Sequence, residues 1–148
     1  MSNILKIAFC TNGIFPHSVG GMQRHSRLLI EQLVALPNIE IIVIHPHTEV
    51  QVFGTYDNLK EISISGNNNK NIYLWECYKY SKRVMSVLDD HLDYIIYSQG
   101  LSVWSGIDKV SNRLIINPHG LEPFQAISFK DKITSIPFKI ILKHLFKY

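Results

Sequence analysis

Two short apolar runs, Leu5 to Cys10 and Ile39 to Ile44, flank a stretch whose apolar residues recur every three or four positions. This constrains the fold more than any other feature. Neither run alternates apolar with polar residues, and only Lys6 breaks the first, so each reads as a strand buried on both faces. Such strands need a sheet covered on both sides. Between them, Thr11 to Gly20 carries Asn12-Gly13 and Pro16, the marks of a loop. From Gly21 to Leu36 the period is helical: Met22, His25, Leu29, Leu33 and Leu36 form one stripe, and Pro37-Asn38 ends it. Strand, loop, helix and strand make a βαβ unit.

The rest of the chain continues the alternation. Val50 to Phe53 and Ile62 to Ser65 read as short strands around a loop, and Gly66 to Asn71 is polar loop. Ile72 to Leu92 reads as a long helix with Leu74, Cys77, Ser81, Val84, Leu88 and Leu92 inward, widened by Tyr78 and Met85. Tyr94 to Ser98 is a strand, Gln99-Gly100 a turn, Leu101 to Ile107 a short helix, and Arg113 to Asn117 a strand ended by Pro118. Ser135 to Tyr148 is a helix with Pro137 in its first turn. The expected architecture is α/β: one Rossmann-like domain over residues 1–148, with a mostly parallel sheet and helices on both faces. Ligands of such sheets bind beyond the carboxyl ends of the strands. Three loops leave those ends: Thr11 to Gly20, Ser98 to Trp104, and Pro118 to Gln125.

Composition narrows the chemistry. Hydrophobic residues make up 46% of the 148, enough for a real core, and the net charge of +3 is too small to mark a nucleic-acid binder. Lysines gather only toward the C-terminus, at 130, 132, 139, 143 and 147. Cys10 and Cys77 form no C-x-x-C pair, so they read as buried reduced thiols rather than zinc ligands or a dithiol. No apolar run is long enough to span a bilayer, and Met1 to Lys6 leads into a strand without a signal-peptide pattern. A cytoplasmic protein is expected.

Two motifs carry chemistry. Gly20-Gly21 opens directly into a helix, where free N–H groups and the helix dipole favour an anion such as phosphate, or else the pair only makes a tight turn. The loop before it is too long for a G-x-G-x-x-G fingerprint, and Gly-Lys-Ser/Thr is missing, which disfavours NAD and ATP chemistry. His119, between Pro118 and Gly120 after a buried strand, can offer either ring nitrogen as donor, acceptor or general base, or can cap its own loop. Glu122 can orient a hydroxyl or stabilise that His. His45-Pro46-His47 lacks a third ligand and makes a poor metal site; no metal is expected. His25, on the inner helix stripe, reads as a core or cleft residue, and His91 and His144 as helix-surface residues.

The run from Lys6-Ile7-Ala8-Phe9-Cys10 through Gly20-Gly21-Met22-Gln23-Arg24-His25 to Leu33 resembles the opening of family 4 retaining glycosyltransferases. Those proteins begin with a strand, a long loop ending in Gly-Gly, and a helix with a His four residues after the second Gly. Residues 93–100 resemble their middle strand and its loop, which ends here at Gly100; residues 114–123 resemble the next strand and its His-Gly loop. The three motifs keep the family's order and cover nearly the whole chain. The resemblance implies the amino-terminal half of a GT-B fold. It implies sugar transfer, with retention and without a metal, from a nucleotide-sugar donor to a glycan or lipid-linked acceptor, as in cell-envelope polysaccharide synthesis. It places Gly20-Gly21 near the donor diphosphate and transferred group, Gln23 beside the acceptor or sugar, and His119 at the reaction centre, with Gly100, Gly120 and Glu122 in the same binding loops. The family's second Rossmann domain, with its donor-binding carboxylates, lies outside these residues, so the chain alone is expected to be inactive.

Other readings stay open on the residues themselves: a non-enzymatic Rossmann-like or flavodoxin-like binding module, or one subunit of a two-chain transferase. In the last helix Phe138, Ile141, Leu142, Leu145 and Tyr148 share one face, and Lys139, Lys143 and Lys147 another. That pattern suits packing on its own domain, peripheral contact with an anionic inner-membrane face, or a homodimer.

Overall fold

A computed structural model describes residues 4–66, 73–119 and 128–147. Five strands are formed: β1 (Leu5–Cys10), β2 (Ile39–His45), β3 (Leu59–Ser63), β4 (Ile95–Gln99) and β5 (Leu114–Asn117). They make one sheet in the order β3-β2-β1-β4-β5, and every pairing is parallel. The helices are α1 (Gly21–Val34), α2 (Tyr73–Leu88), α3 (Phe129–Thr134) and α4 (Ile136–Leu145). This is the expected α/β, Rossmann-like architecture.

Both faces of the sheet are covered, which is why its central strands are mostly apolar. Successive side chains of β1 point to opposite sides. Phe9, with Ile41 and Val43 of β2, packs against Ile30 and the half-buried Leu29 and Leu33 of α1. Ala8 and Cys10, with Ile42, Ile44 and Ile96, pack against Tyr80, Val84 and Leu88 of α2. Nearer the start of α2, Cys77 meets Ile141, Leu142 and Leu145 of α4, so α4 spends its apolar face on its own domain.

The structure corrects several boundaries. Residues 50–53 are not a strand; the third strand is Leu59–Ser63. Val52 and Phe53 are nonetheless buried, because the Glu61 carboxylate accepts both of their N–H groups at 2.8 Å and holds the segment against the α1 side of the core. Helix α2 ends at Leu88, and Leu92 is 73% exposed. The reason is Arg113, whose guanidinium donates to the carbonyls of Leu88, His91 and Tyr94 and closes the helix end before Leu92 is reached. Helix α1 ends at Val34, followed by Asn38 in the left-handed region at φ 63°, so Leu36 is exposed. Its buried residues are Ser26 and Ile30, not His25, which is exposed. The stretch 101–106 is turn and bend, followed by single 3-10 turns at Ile107–Lys109 and Ser111–Arg113. Helix α3 was not expected. Among the described residues no helix is long and apolar enough to cross a membrane.

Candidate functional site

The strand order runs outward in two directions from β1, to β2 on one side and to β4 on the other. The crevice between the carboxyl ends of β1 and β4 is therefore the topological switch point, where ligands of open α/β sheets bind. A buried polar junction occupies it. Thr11 follows β1, Gln99 ends β4, Ser26 comes from α1, and all three are fully buried. Thr11 Oγ1 donates to Gln99 Oε1 at 3.3 Å, and Ser26 Oγ donates to the same oxygen. On its other side, Gln99 Nε2 meets His25 Nδ1 at 3.1 Å. The amide thus ties two strands to the exposed His25 on α1.

His119 completes the cluster. Its ring lies 5.0 Å from that of His25, edge to face at 73°. Its backbone is in the left-handed region at φ 56°, which costs a non-glycine residue roughly 1 kcal/mol. The conformation is held from behind: His119 N–H donates to Asn117 Oδ1 at 3.1 Å, and Asn117 Nδ2 donates to the Tyr97 hydroxyl at 3.0 Å. Among the described residues nothing hydrogen-bonds to the buried Nε2 of His119. Burial, and secondarily the charge of His25, lower the pKa of His119 below its ordinary value, so the ring favours the neutral form. A neutral imidazole with an unsatisfied nitrogen can accept or donate one hydrogen bond to a ligand.

The Gly-Gly pair begins α1. Gly20 is extended, and no side chain caps the helix. Its carbonyl accepts the Arg24 N–H at 3.1 Å, and the first-turn N–H groups have no partner among the described residues. Neither glycine is required by the fold's own packing. A Cβ on Gly21 would meet nothing within 4 Å, and one on Gly20 would meet only the Gln23 side chain, which folds back over it. Gly100 does need to be glycine: its φ is +57°, and its N–H donates to the Asn117 carbonyl at 2.9 Å. Met22 Sδ of α1 lies 3.5 Å from where its Cβ would stand. The structure thus brings the start of α1, Gly100, His25 and His119 together, while Gly120 and Glu122 lie outside the described residues. Comparison of the chain with protein-family models and with curated proteins found no match. The geometry therefore stands by itself: helix amides without a partner among the described residues, and two imidazoles, at one switch point.

Thr11, Ser26, Gln99 and Asn117 escaped sequence reasoning. The signal was present in three of them. Thr11 and Gln99 are polar residues at the ends of apolar strands, and Ser26 lies on the buried face of α1.

A second group of histidines lies toward β2 and β3. His45 Nε2 pairs with Glu61 Oε2 at 3.1 Å, His45 Nδ1 accepts the His47 N–H, and His47 Nε2 accepts the Ile14 N–H at 3.0 Å. A cavity of about 510 Å³ beside them is lined by Asn12, His17, Ser18, His47, Thr48 and Tyr80, among others. Among the described residues no group of three or more His, Cys, Asp or Glu side chains is arranged to hold a metal ion.

Proposed function

We propose that this chain is the acceptor-side, amino-terminal domain of a GT-B glycosyltransferase that moves a sugar from a nucleotide-sugar donor to a glycan or lipid-linked acceptor. One observation carries the reading: loops after β1, β4 and β5 meet at the switch point, where His119 packs on His25 beside the uncapped start of α1. In transfer, the bond from the sugar's anomeric carbon to the diphosphate oxygen breaks, and an acceptor oxygen takes its place. The first-turn amides suit the departing diphosphate, because they are preorganised donors at the positive end of a helix dipole. His119 suits the sugar or the acceptor hydroxyl. Donor-binding carboxylates then belong to a further domain, on the same polypeptide or a partner subunit.

The test is a transfer assay with labelled nucleotide-sugars, run on the chain alone and on the chain joined to whatever follows it in its gene. Transfer only by the longer protein, with weak or no donor binding by the chain alone, supports the proposal. Tight, specific nucleotide-sugar binding by this chain alone would favour a self-contained binding module instead.

A peripheral contact with an anionic membrane face belongs to the same proposal. Residues 73–83 and 128–147 hold eight Lys and Arg against two acids, although the whole chain carries only +3. Tyr73 of α2 packs near Phe138 of α4, and Trp75, Ile136 and Ile140 are exposed on these helices, Ile140 by 63%. Aromatic rings and isoleucines among lysines suit the headgroup boundary. Liposome co-sedimentation across a salt series, with Lys139, Lys143 and Lys147 changed together to Gln, tests it. Binding should weaken with salt and with the triple change; no binding at low salt removes the membrane role.

A further inference from the structure

We infer that Gln99 is a positioning residue that locks His25 into one tautomer, with Nδ1 as a lone-pair acceptor turned inward and Nε2–H left as a donor for a ligand. The argument is a count of hydrogens. Gln99 is fully buried, so each end of its amide must find a partner within the protein. Its oxygen faces the hydroxyls of Thr11 and Ser26; we take the orientation in which those hydroxyls give it their hydrogens rather than giving them to the Gly13 and Met22 carbonyls. Its nitrogen, which carries only hydrogens, faces His25 Nδ1 at 3.1 Å. A ring nitrogen opposite an amide N–H must present its lone pair, and the neutral ring's one proton then sits on Nε2.

The consequence concerns the ligand. His25 is exposed, so its outward nitrogen is reachable, and as an N–H it selects an oxygen that can accept: a hydroxyl, a carbonyl or a phosphate oxygen. Gln99 reaches the ligand only through His25. The inference rests on the same site as the proposed transferase, but its test needs no substrate, so either can fail without the other.

The measurement is 15N–1H NMR of the histidine rings in the folded chain, without ligand, reading ring nitrogen shifts and two-bond couplings at His25. The wild type should show Nε2–H alone. Gln99→Glu should invert it, because a carboxylate oxygen now faces Nδ1 and must be given a hydrogen. Ser26→Ala, milder for folding, removes a partner from the amide oxygen and should leave a mixture of tautomers. Amide spectra showing the native fold accompany each variant. Turning the amide over would aim its NH2 at the two hydroxyls, which have the Gly13 and Met22 carbonyls as alternative acceptors, and would demand Nδ1–H on His25. Nδ1–H in the wild type, or a tautomer indifferent to both substitutions, overturns the inference.

Discussion

Histidines stand near the carboxyl ends of strands on both halves of the sheet, and the two halves use them differently. Beyond β2, His45 is enclosed between the His47 N–H and the Glu61 carboxylate, and His47 accepts the Ile14 N–H. Glu61 in turn serves Val52 and Phe53. These imidazoles are consumed in holding loops. Beyond β4 and β5, His25 has one nitrogen engaged by Gln99, and the buried Nε2 of His119 has no partner among the described residues. His45 has both ring nitrogens engaged and His47 and His25 one each, whereas Nε2 of His119 meets no partner among the described residues.

The sharpest way to break this contrast is to remove one histidine from each half. In a protein that carries this chain and transfers sugar, His119→Ala should lower turnover by about 10²–10⁴-fold. The same substitution should change stability by about 1 kcal/mol at most, since no described residue hydrogen-bonds to the ring Nε2; the left-handed strain stays, because alanine keeps the Cβ. His47→Ala should do the reverse, lowering the melting temperature while sparing transfer. Equal turnover in wild type and a well-folded His119→Ala protein would make His119 structural.

The next largest effect belongs to Glu61. Changing it to Ala strands two backbone N–H groups and the His45 ring, and should cost about 3 kcal/mol in denaturant unfolding. A loss below about 0.5 kcal/mol would mean that residues 50–53 are not held by this carboxylate.

Acid should reveal the same half of the molecule. Burial lowers the pKa of His45, against the opposing pull of Glu61, and that of His47, with help from neighbouring imidazoles. The unfolded chain, with histidines near 6.5, therefore takes up protons before the folded one does. Stability should be fully present above that value and fall as pH drops through it toward the lowered folded values. Melting curves across this range check it, and His47→Gln, which can still accept the Ile14 N–H, should flatten the slope. A melting temperature that rises on acidification would contradict the assignment.

The smallest effect is the most discriminating for the other half. Gly21→Ala introduces a methyl that meets nothing and a better helix former at the helix start, so stability should rise by up to about 0.5 kcal/mol. Ligand binding at the α1 amides should weaken in the same variant. Unchanged binding would show that no ligand approaches that backbone closely.

Much of the fold was legible because its central strands must be buried on both faces, which leaves apolar runs at Leu5–Cys10 and Ile39–His45 with charged residues only near their starts, Lys6 and Glu40. The region of 50–63 was not, because Val52 and Phe53 are buried by a carboxylate holding their amides rather than by strand pairing. His25 was misplaced by one helical step: Met22, Leu29 and Leu33 border the buried line through Ser26 and Ile30, and a spacing of three or four cannot separate the two. The role of His119 as part of a cluster was suggested by its place after a strand. The role of Gln99 was hidden, since nothing in a strand-end glutamine says which side chains will converge on it.

The three bonds that Gln99 makes to Thr11, Ser26 and His25 span 88, 73 and 74 residues of chain. Nothing local prepares this junction. Contacts so distant in sequence form only after long loops have closed, and closing them slows folding. A nascent chain that has completed β1, α1 and β2 therefore has its Gly-Gly turn but no buried polar junction beside it, and acquires one only when β4 docks beside β1.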